Sequence, residues 1–423
     1  MTSSTSETGI LIIGANQSGV QLAISLRATG FKEKITLLGE EDHRPYQRPA
    51  LSKEFLQDKI DKERLIFRSN EYWEENNIEL VKGVRIERIE KNEDGSGVAY
   101  GAGQEFAFRR LALAVGARPR RLELPGSELN GVTYLRNADD ALALKAMIND
   151  VSDAVVIGGG FIGLEAACSL HDLGKNVTVL EYGPRLIGRA VGEETADFFL
   201  DQHRSRGINI RLDARMKQFV GEDGQLTGVE LENGTIIPAQ LVIVGIGVIP
   251  NTELAENLGL KVDNGIVVDK HAVASDGTTI AIGDVANIPN PIPGSPSDER
   301  IRLESVNNAI EHAKIAAYSL VGQPEAYAGI PWFWSNQGDL KLQIAGLTVG
   351  YDQTLIRKDE EKKKFSVLYY RKGTIIAADC VNSPLDFMAV RSALSKNQNI
   401  PFEKATDVSV PLKKLVVELE STP

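Results

Sequence analysis

Two glycine-rich turns, each set between an apolar run and a helix-forming stretch, carry most of the chemistry in this 423-residue chain. The first is Gly14-Ala15-Asn16-Gln17-Ser18-Gly19, preceded by Ile10-Leu11-Ile12-Ile13; Glu40 and Glu41 follow the next apolar run, Ile35-Thr36-Leu37-Leu38. The second is Gly158-Gly159-Gly160-Phe161-Ile162-Gly163 after Val155-Val156-Ile157, with Glu181 following Val177-Thr178-Val179-Leu180. In such a unit the first glycine permits a tight turn. The second lets backbone approach a pyrophosphate, and the third lets the helix pack on the strand. The helix N-terminus then turns unpaired amides and a positive dipole end toward the phosphates. The acid after the following strand can accept hydrogen bonds from a ribose. Two units in one chain imply two dinucleotides and hydride passage between them.

The second unit is complete. Glu181 sits where a carboxylate binds a ribose diol and repels a 2′-phosphate, which favours NADH over NADPH. The first unit has Asn16 in the second glycine place. Asparagine tolerates left-handed backbone better than most residues, so a turn through that conformation is the expectation.

The elements that must position these turns follow from pattern. Leu111-Ala112-Leu113-Ala114-Val115 reads as a buried parallel strand leading into a glycine turn. Leu241-Val242-Ile243-Val244 reads as a second one, returning the chain to the first domain. Ile280-Ala281-Ile282-Gly283-Asp284 reads as a strand delivering a carboxylate, with a helix following between Leu303 and Leu320. Short strands are expected near 98–100 and 105–107, and a hairpin over 365–370 and 374–379. Residues 1–8 read as a frayed tail and 287–297 as a loop. The result is an α/β chain with a split first domain, 9–117 and 245–325, around a second, 118–244, and a third domain over 326–423.

Composition narrows the function. A net charge of −11 argues against nonspecific nucleic-acid binding, which needs a basic face. No apolar run reaches transmembrane length and no signal-peptide pattern is present. Only Cys168 and Cys380 occur, with no C-x-x-C, so a cytoplasmic protein is expected and a redox disulfide or reactive thiol is not. Cys168 falls among Ile162, Ala166 and Leu170 at helical spacing and reads as a packing residue. No metal site is expected.

Further motifs carry a resemblance. Arg48-Pro49-Ala50-Leu51-Ser52-Lys53, Ala114-Val115-Gly116-Ala117-Arg118-Pro119 and Gly245-Ile246-Gly247-Val248-Ile249-Pro250-Asn251 resemble segments of the FAD-dependent pyridine-nucleotide oxidoreductases. So do Ala281-Ile282-Gly283-Asp284 and Arg302-Leu303-Glu304-Ser305-Val306. Pro331-Trp332-Phe333-Trp334-Ser335-Asn336-Gln337 is similar to the NADH-dependent ferredoxin reductases of bacterial oxygenase systems. The resemblance implies a glutathione-reductase-like architecture: two Rossmann-like domains, for FAD and NAD, plus a C-terminal α+β interface domain. Two residues depart from the family pattern, Asn16 for a glycine and Val115 for a threonine.

The same resemblance implies the site. FAD would be held by Gly14, Ala15, Asn16, Gly19, Glu40, Arg48, Lys53 and Val84 from the N-terminal half, completed by Arg136, Gly283, Asp284 and Val306. Asp284 reads either as the acceptor for flavin ribityl hydroxyls or as a helix cap. NADH would be held by Gly158, Gly160, Phe161, Ile162, Gly163, Glu165, Glu181 and Gly247. Glu165 has two readings: an acid favoured by the helix dipole, or a partner for Lys53 beside the flavin ring across the domain interface. Lys53 would then favour the reduced flavin electrostatically. Phe161 reads as a ring that nicotinamide displaces or as packing. Trp332 reads as packing, and Trp334 as lining the flavin edge.

The implied activity takes a hydride from NADH onto FAD and passes electrons singly to a [2Fe–2S] ferredoxin serving an oxygenase, by a monomer or weak dimer. Lys314, Arg391, Lys413 and Lys414 are the expected docking cations; Lys362-Lys363-Lys364 reads as a solvated hairpin tip. Two alternatives share the cofactors: a flavoprotein reducing a small acceptor such as monodehydroascorbate, and a redox-sensing interaction protein resembling apoptosis-inducing factor.

Overall fold

The structure is a computed structural model that describes residues 9–292 and 298–419. The expected tail at 1–8 and the loop positions 293–297 lie outside the described residues. The chain forms two compact units. One comprises the described residues of Met1–Gln47, Lys62–Arg118 and Ile249–Pro331, the other those of Arg48–Asp61, Pro119–Val248 and Trp332–Pro423.

The first unit is built on a parallel five-stranded sheet. Its spatial order is Ile280–Ala281, Arg110–Leu113, Ile10–Ile13, Ile35–Leu38, Ile78–Val81. The central strands are apolar at nearly every position, Thr36 and Arg110 apart, because successive side chains serve opposite faces and both faces are covered. Leu11, Ile13, Leu38, Leu111 and Leu113 face a core shared with Ile89, Ala99 and Phe108 of a three-stranded meander. Ile10, Ile12, Ile35, Leu37 and Ala112 face the other way. There they meet Val20, Leu22, Ala23 and Leu26 of the Gln17–Ala28 helix and Ala313, Ala316 and Ala317 of the Val306–Leu320 helix. Each fully buried Leu or Ile contributes roughly 1.5–3 kcal/mol. The small alanines let the two helices approach each other closely. The short strands expected near 98–100 and 105–107 are Gly97–Gly101 and Gln104–Phe108 of the meander.

The second unit repeats the parallel layout in the order Asn209–Arg211, Asn176–Leu180, Asp153–Ile157, Leu241–Val244, Val132–Tyr134. The Leu241–Val244 strand pairs with Asp153–Ile157 on one side and Val132–Tyr134 on the other, with Ala154 opposite Leu241, and the chain re-enters the first unit at Ile249. An apolar run marks a doubly covered strand without naming its sheet, so pattern alone could not place it. A meander over 216–238 covers one face through Phe219, Leu226, Val229 and Ile237.

The unit also contains a five-stranded antiparallel sheet, Trp332–Gln337, Leu340–Gly346, Thr374–Val381, Lys364–Arg371, Gln353–Asp359 in spatial order. The expected hairpin turns through Lys372 and Gly373, both at positive φ, which matches the twist of its strands. The Pro384–Ser395 helix packs on this sheet through Phe387, Val390 and Ala393.

Residues 48–61 belong to this second unit. Leu51, Phe55 and Leu56 are buried, Lys145 lies 4.4 Å over the Phe55 ring, and Lys145 is ion-paired with Asp58. Ser169 Oγ donates to the Ser52 carbonyl at 2.7 Å. Apolar burial and a short tether thereby fix the segment that carries Lys53.

Candidate active site and cofactor-binding residues

Glu165 is the fifth residue of the Phe161–Asp172 helix and one of the few buried acids in the structure. Its Oε2 accepts from Lys53 Nζ at 2.6 Å and from Ser52 Oγ at 2.7 Å; its Oε1 accepts from Ser335 Oγ at 2.8 Å. Both charged side chains are nearly out of water, 12% and 7% exposed. At that depth the pair fixes geometry more than it adds stability, and removing one partner costs about 3–5 kcal/mol. Of the two readings of Glu165, the structure realises the Lys53 pair, within one compact unit.

The turns fit the two dinucleotides. In the first unit Gly14 has φ +118°, and a Cβ there would sit 2.1 Å from the Ala114 carbonyl oxygen. A Cβ on Gly19 would meet the Gly14 carbonyl oxygen at 1.9 Å, and one on Gly283 (φ +74°) would meet Ser18 Oγ at 2.7 Å. Asn16 does not adopt the expected left-handed conformation. Its φ is −111°, extended, and Gly14 supplies the positive φ instead. The asparagine is the helix N-cap: its Oδ1 accepts from Ser18 N at 3.2 Å and Gly19 N at 3.4 Å, while its Nδ2 donates to Ala114 O at 2.5 Å. Ala15 packs against the core on the helix face of the sheet, Val84 is buried in the core on the opposite face, and Val115 O accepts from Asn251 Nδ2 at 2.9 Å. Glu40 is exposed and ion-paired with Arg85 at 2.9 Å. Asp284 lies in the short turn Gly283–Val285, its carbonyl accepting from Arg302 at 3.0 Å. Val306 begins its helix after the cap Ser305, whose Oγ accepts from Asn308 N.

In the second unit Gly158 has φ +106°, and a Cβ on Gly163 would meet the Gly158 carbonyl oxygen at 2.1 Å. A Cβ on Gly160 would meet nothing within 4 Å, which leaves room for phosphate at the helix start. Glu181 is locked by backbone amides, Oε2 accepting from Gly159 N at 2.6 Å and Oε1 from Gly183 N at 2.7 Å. Ile162 is exposed, and Phe161 packs on Phe333 with centroids 4.4 Å apart. Gly247 has φ +100° and its carbonyl accepts from Arg120 N. Arg48 donates to the Arg136 carbonyl at 2.8 Å, and Arg136 N donates to Asp140 Oδ2.

The Trp334 ring lies 5.6 Å from that of Trp332. Trp332 packs on Phe387 and carries the Arg391 guanidinium 4.9 Å from its centroid. Lys413 and Lys414 are exposed in the turn Leu412–Lys414. Lys314 belongs to the first unit and is ion-paired with Glu311 at 2.8 Å. Lys362 is tied to Asp359 at the hairpin tip. Burial pushes the Cys168 thiol up to about 11 and the Cys380 thiol well above the ordinary range, so both stay protonated. Among the described residues, no helix is long and apolar enough to cross a membrane, and no group of three His, Cys, Asp or Glu could hold a metal ion.

Four polar residues around the pair escaped sequence reasoning: Ser52, Ser335, Gln337 and His203. A signal existed for two of them. Phe333, Ser335 and Gln337 alternate along one face of a strand, and polar residues on a buried face demand partners.

Two parallel sheets with paired glycine turns, a buried Lys–Glu pair and inert thiols define a flavin- and nicotinamide-dependent oxidoreductase. Residues 8–313 match the pyridine nucleotide-disulphide oxidoreductase family and residues 332–416 the reductase C-terminal family. The chain is 40% identical to a ferredoxin–NAD(P)(+) reductase of Sphingomonas sp over 407 residues, 96% of this chain and 97% of the relative. A crystal structure of the ferredoxin reductase for the CYP199A2 system of Rhodopseudomonas palustris superposes with a TM-score of 0.91 at 39% identity, covering 96% of this chain and 99% of that one. The reductase in a covalent putidaredoxin reductase–putidaredoxin complex gives 0.90 at 34% identity, covering 96% and 98%. The chain belongs to the pyridine nucleotide-disulphide oxidoreductases, among their ferredoxin reductases.

Proposed function

We propose that this protein moves electrons from NADH to a [2Fe–2S] ferredoxin that feeds an oxygenase, in the cytoplasm, as a monomer or weak dimer. The observation that carries the reading is the buried Lys53–Glu165 pair, at the start of the helix that follows the nicotinamide-binding turn, in a chain whose two cysteines are both buried and protonated.

Bound FAD would supply the change from two-electron to one-electron chemistry. In the first unit Gly14, Ala15, Asn16, Gly19, Glu40, Val84, Gly283, Asp284 and Val306 would hold it. Gly158, Gly160, Phe161, Ile162, Gly163, Glu165, Glu181 and Gly247 would hold NADH. Glu181, held by two backbone amides, presents a fixed negative charge at the ribose position and disfavours a 2′-phosphate. Lys53 brings a fixed positive charge to the acceptor ring, and Glu165 with its hydroxyl partners keeps that charge in place. Phe161, backed by Phe333, shields the nicotinamide position from water. With no thiol able to relay electrons, they leave through the C-terminal domain, where Trp334, Trp332 and Arg391 stack in series and Lys413 and Lys414 offer positive charge to an acidic carrier. Steady-state turnover of FAD-loaded protein with NADH and a [2Fe–2S] ferredoxin tests the reading. Cluster reduction that saturates with ferredoxin supports it; oxidation of NADH that ignores ferredoxin rejects it.

A further inference from the structure

The Lys53–Glu165 pair is the end of a longer buried chain. Beyond Ser335, Gln337 Nε2 donates to Ser335 Oγ at 3.2 Å, and Gln337 Oε1 meets His203 Nε2 at 2.7 Å. His203 Nδ1 faces Cys168 Sγ at 3.7 Å, and Cys168 Sγ accepts from Arg206 at 3.1 Å. Ser335, Gln337 and His203 are fully buried and Cys168 nearly so. Arg206 lies at the rim, ion-paired with Asp339. All these residues belong to one compact unit, although they come from three separate stretches of chain.

The direction of every bond is fixed by the two ends. Arginine only donates, and an ionised carboxylate only accepts. Between them each group gives one hydrogen and takes one. Arg206 donates to the Cys168 sulfur, Cys168 S–H to His203 Nδ1, and His203 Nε2–H to the Gln337 carbonyl. The Gln337 amide donates to Ser335, and Ser335 O–H to Glu165. Two side facts support this order. Burial lowers the His203 ring to about 4, so at neutral pH it holds a single proton. The Cys168 thiol keeps its hydrogen.

A chain of this kind could carry protons or orientation. Gln337 decides against protons, because a primary amide accepts at oxygen and gives up hydrogen only from nitrogen, at the cost of its resonance. Orientation remains. Exchanging the amide ends of Gln337 would set NH₂ against His203 N–H and oxygen against a Ser335 whose only hydrogen is already committed to Glu165. We propose that Gln337 and His203 are positioning residues for hydride transfer, which hold Ser335 as a donor to Glu165 and through it set the placement of Lys53. The inference rests on the function proposed for Lys53, and its test separates the two.

The experiment is a double-mutant cycle on the FAD-loaded protein, reading the rate of flavin reduction by NADH and the flavin midpoint potential, with the melting temperature of the apoprotein alongside. Gln337→Leu should slow reduction about tenfold and lower the midpoint potential in the native background. In a Lys53→Met background it should change neither further, while its effect on melting temperature persists. His203→Phe, which keeps the ring contact with Phe199 and deletes the donor, should repeat the pattern, and His203→Gln should restore part of the rate. Equal slowing by Gln337→Leu in both backgrounds would make the chain merely structural and overturn the proposal. If Lys53→Met alone leaves the rate unchanged, the reading of Lys53 fails first and the proposal falls with it. Should Gln337→Leu not fold, the His203 variants decide by the same criteria.

Discussion

Lys53 and Glu165, 112 residues apart in sequence, meet at 2.6 Å with Ser52 and Ser335 donating to the same carboxylate. Three donors converge on one buried acid, so the acid cannot move without stranding them.

Deleting the acid tests its structural cost. Glu165→Ala leaves a buried ammonium and two buried hydroxyls without their acceptor, and should lower unfolding free energy by about 3 kcal/mol. Glu165→Gln keeps an acceptor oxygen and should cost less. Denaturant melts of the two variants measure the difference; equal stabilities would mean that the pair relaxes into solvent.

On the proposed assignment each glycine turn serves one cofactor. Gly19→Ala drives a Cβ into the Gly14 carbonyl and should yield protein that loses most of its FAD on purification, read from the ratio of flavin to protein absorbance. Gly158→Ala forces alanine to φ +106° and should leave FAD loading intact while raising the KM for NADH by about tenfold or more. If both variants lost flavin equally, the assignment of turns to cofactors would be wrong.

Asn16 predicts a smaller effect of a different kind. As an N-cap, it should be worth about 1 kcal/mol, so Asn16→Ala lowers apoprotein stability by that amount and Asn16→Gly by only a few tenths. A family-like glycine here is therefore tolerated, with the cap given up.

How much of this was legible in the chain varies with sequence separation. Both nucleotide-binding units lie within about 30 contiguous residues, and local periodicity displayed strand, turn and helix. The turn at Asn16 was legible but its mechanism was not, because asparagine both tolerates positive φ and caps helices, and local sequence does not choose between them. The Leu241–Val244 strand was visible as buried, yet its sheet depends on a partner almost 90 residues earlier. Ser335, Gln337 and His203 were harder still. Their roles exist only once β pairing and helix packing bring three distant segments together, and residue type alone marks them as ordinary polar side chains.

Stability should also depend on pH through Asp379. It is fully buried, Tyr369 donates to its Oδ2 at 2.5 Å, and burial outweighs the hydrogen bonds from Tyr369, Thr195 and Gly192 and raises the carboxyl to about 7. The folded state therefore binds more protons than the unfolded state between roughly pH 4 and 7. Stability from this group is present in full below pH 4, falls as pH rises to about 7, and is flat above. Asp379→Asn should remove that slope and raise stability at pH 8, by up to about 4 kcal/mol on linkage arithmetic. Unfolding free energies of both proteins from pH 4 to 8 give the comparison; parallel profiles would contradict it.

Charge reversal at Lys413 and Lys414 addresses the carrier. Both are exposed, and the double substitution to Glu should raise the apparent KM for ferredoxin several-fold at low salt, with the effect shrinking as salt screens the interaction. NADH kinetics should stay unchanged. A variant altered only toward NADH would remove this turn from the docking face.

On the proposed reading, electrons enter from NADH as a pair and leave singly to an iron–sulfur protein without a thiol relay. Anaerobic stopped-flow mixing with NADH, followed by a second mix with [2Fe–2S] ferredoxin, tests it most directly. The expected result is rapid bleaching of the flavin absorbance, then recovery at the same rate as cluster reduction, with recovery still coupled to cluster reduction in a Cys168→Ala, Cys380→Ala protein. Reduced flavin that ferredoxin leaves untouched, or recovery that requires either cysteine, would contradict it.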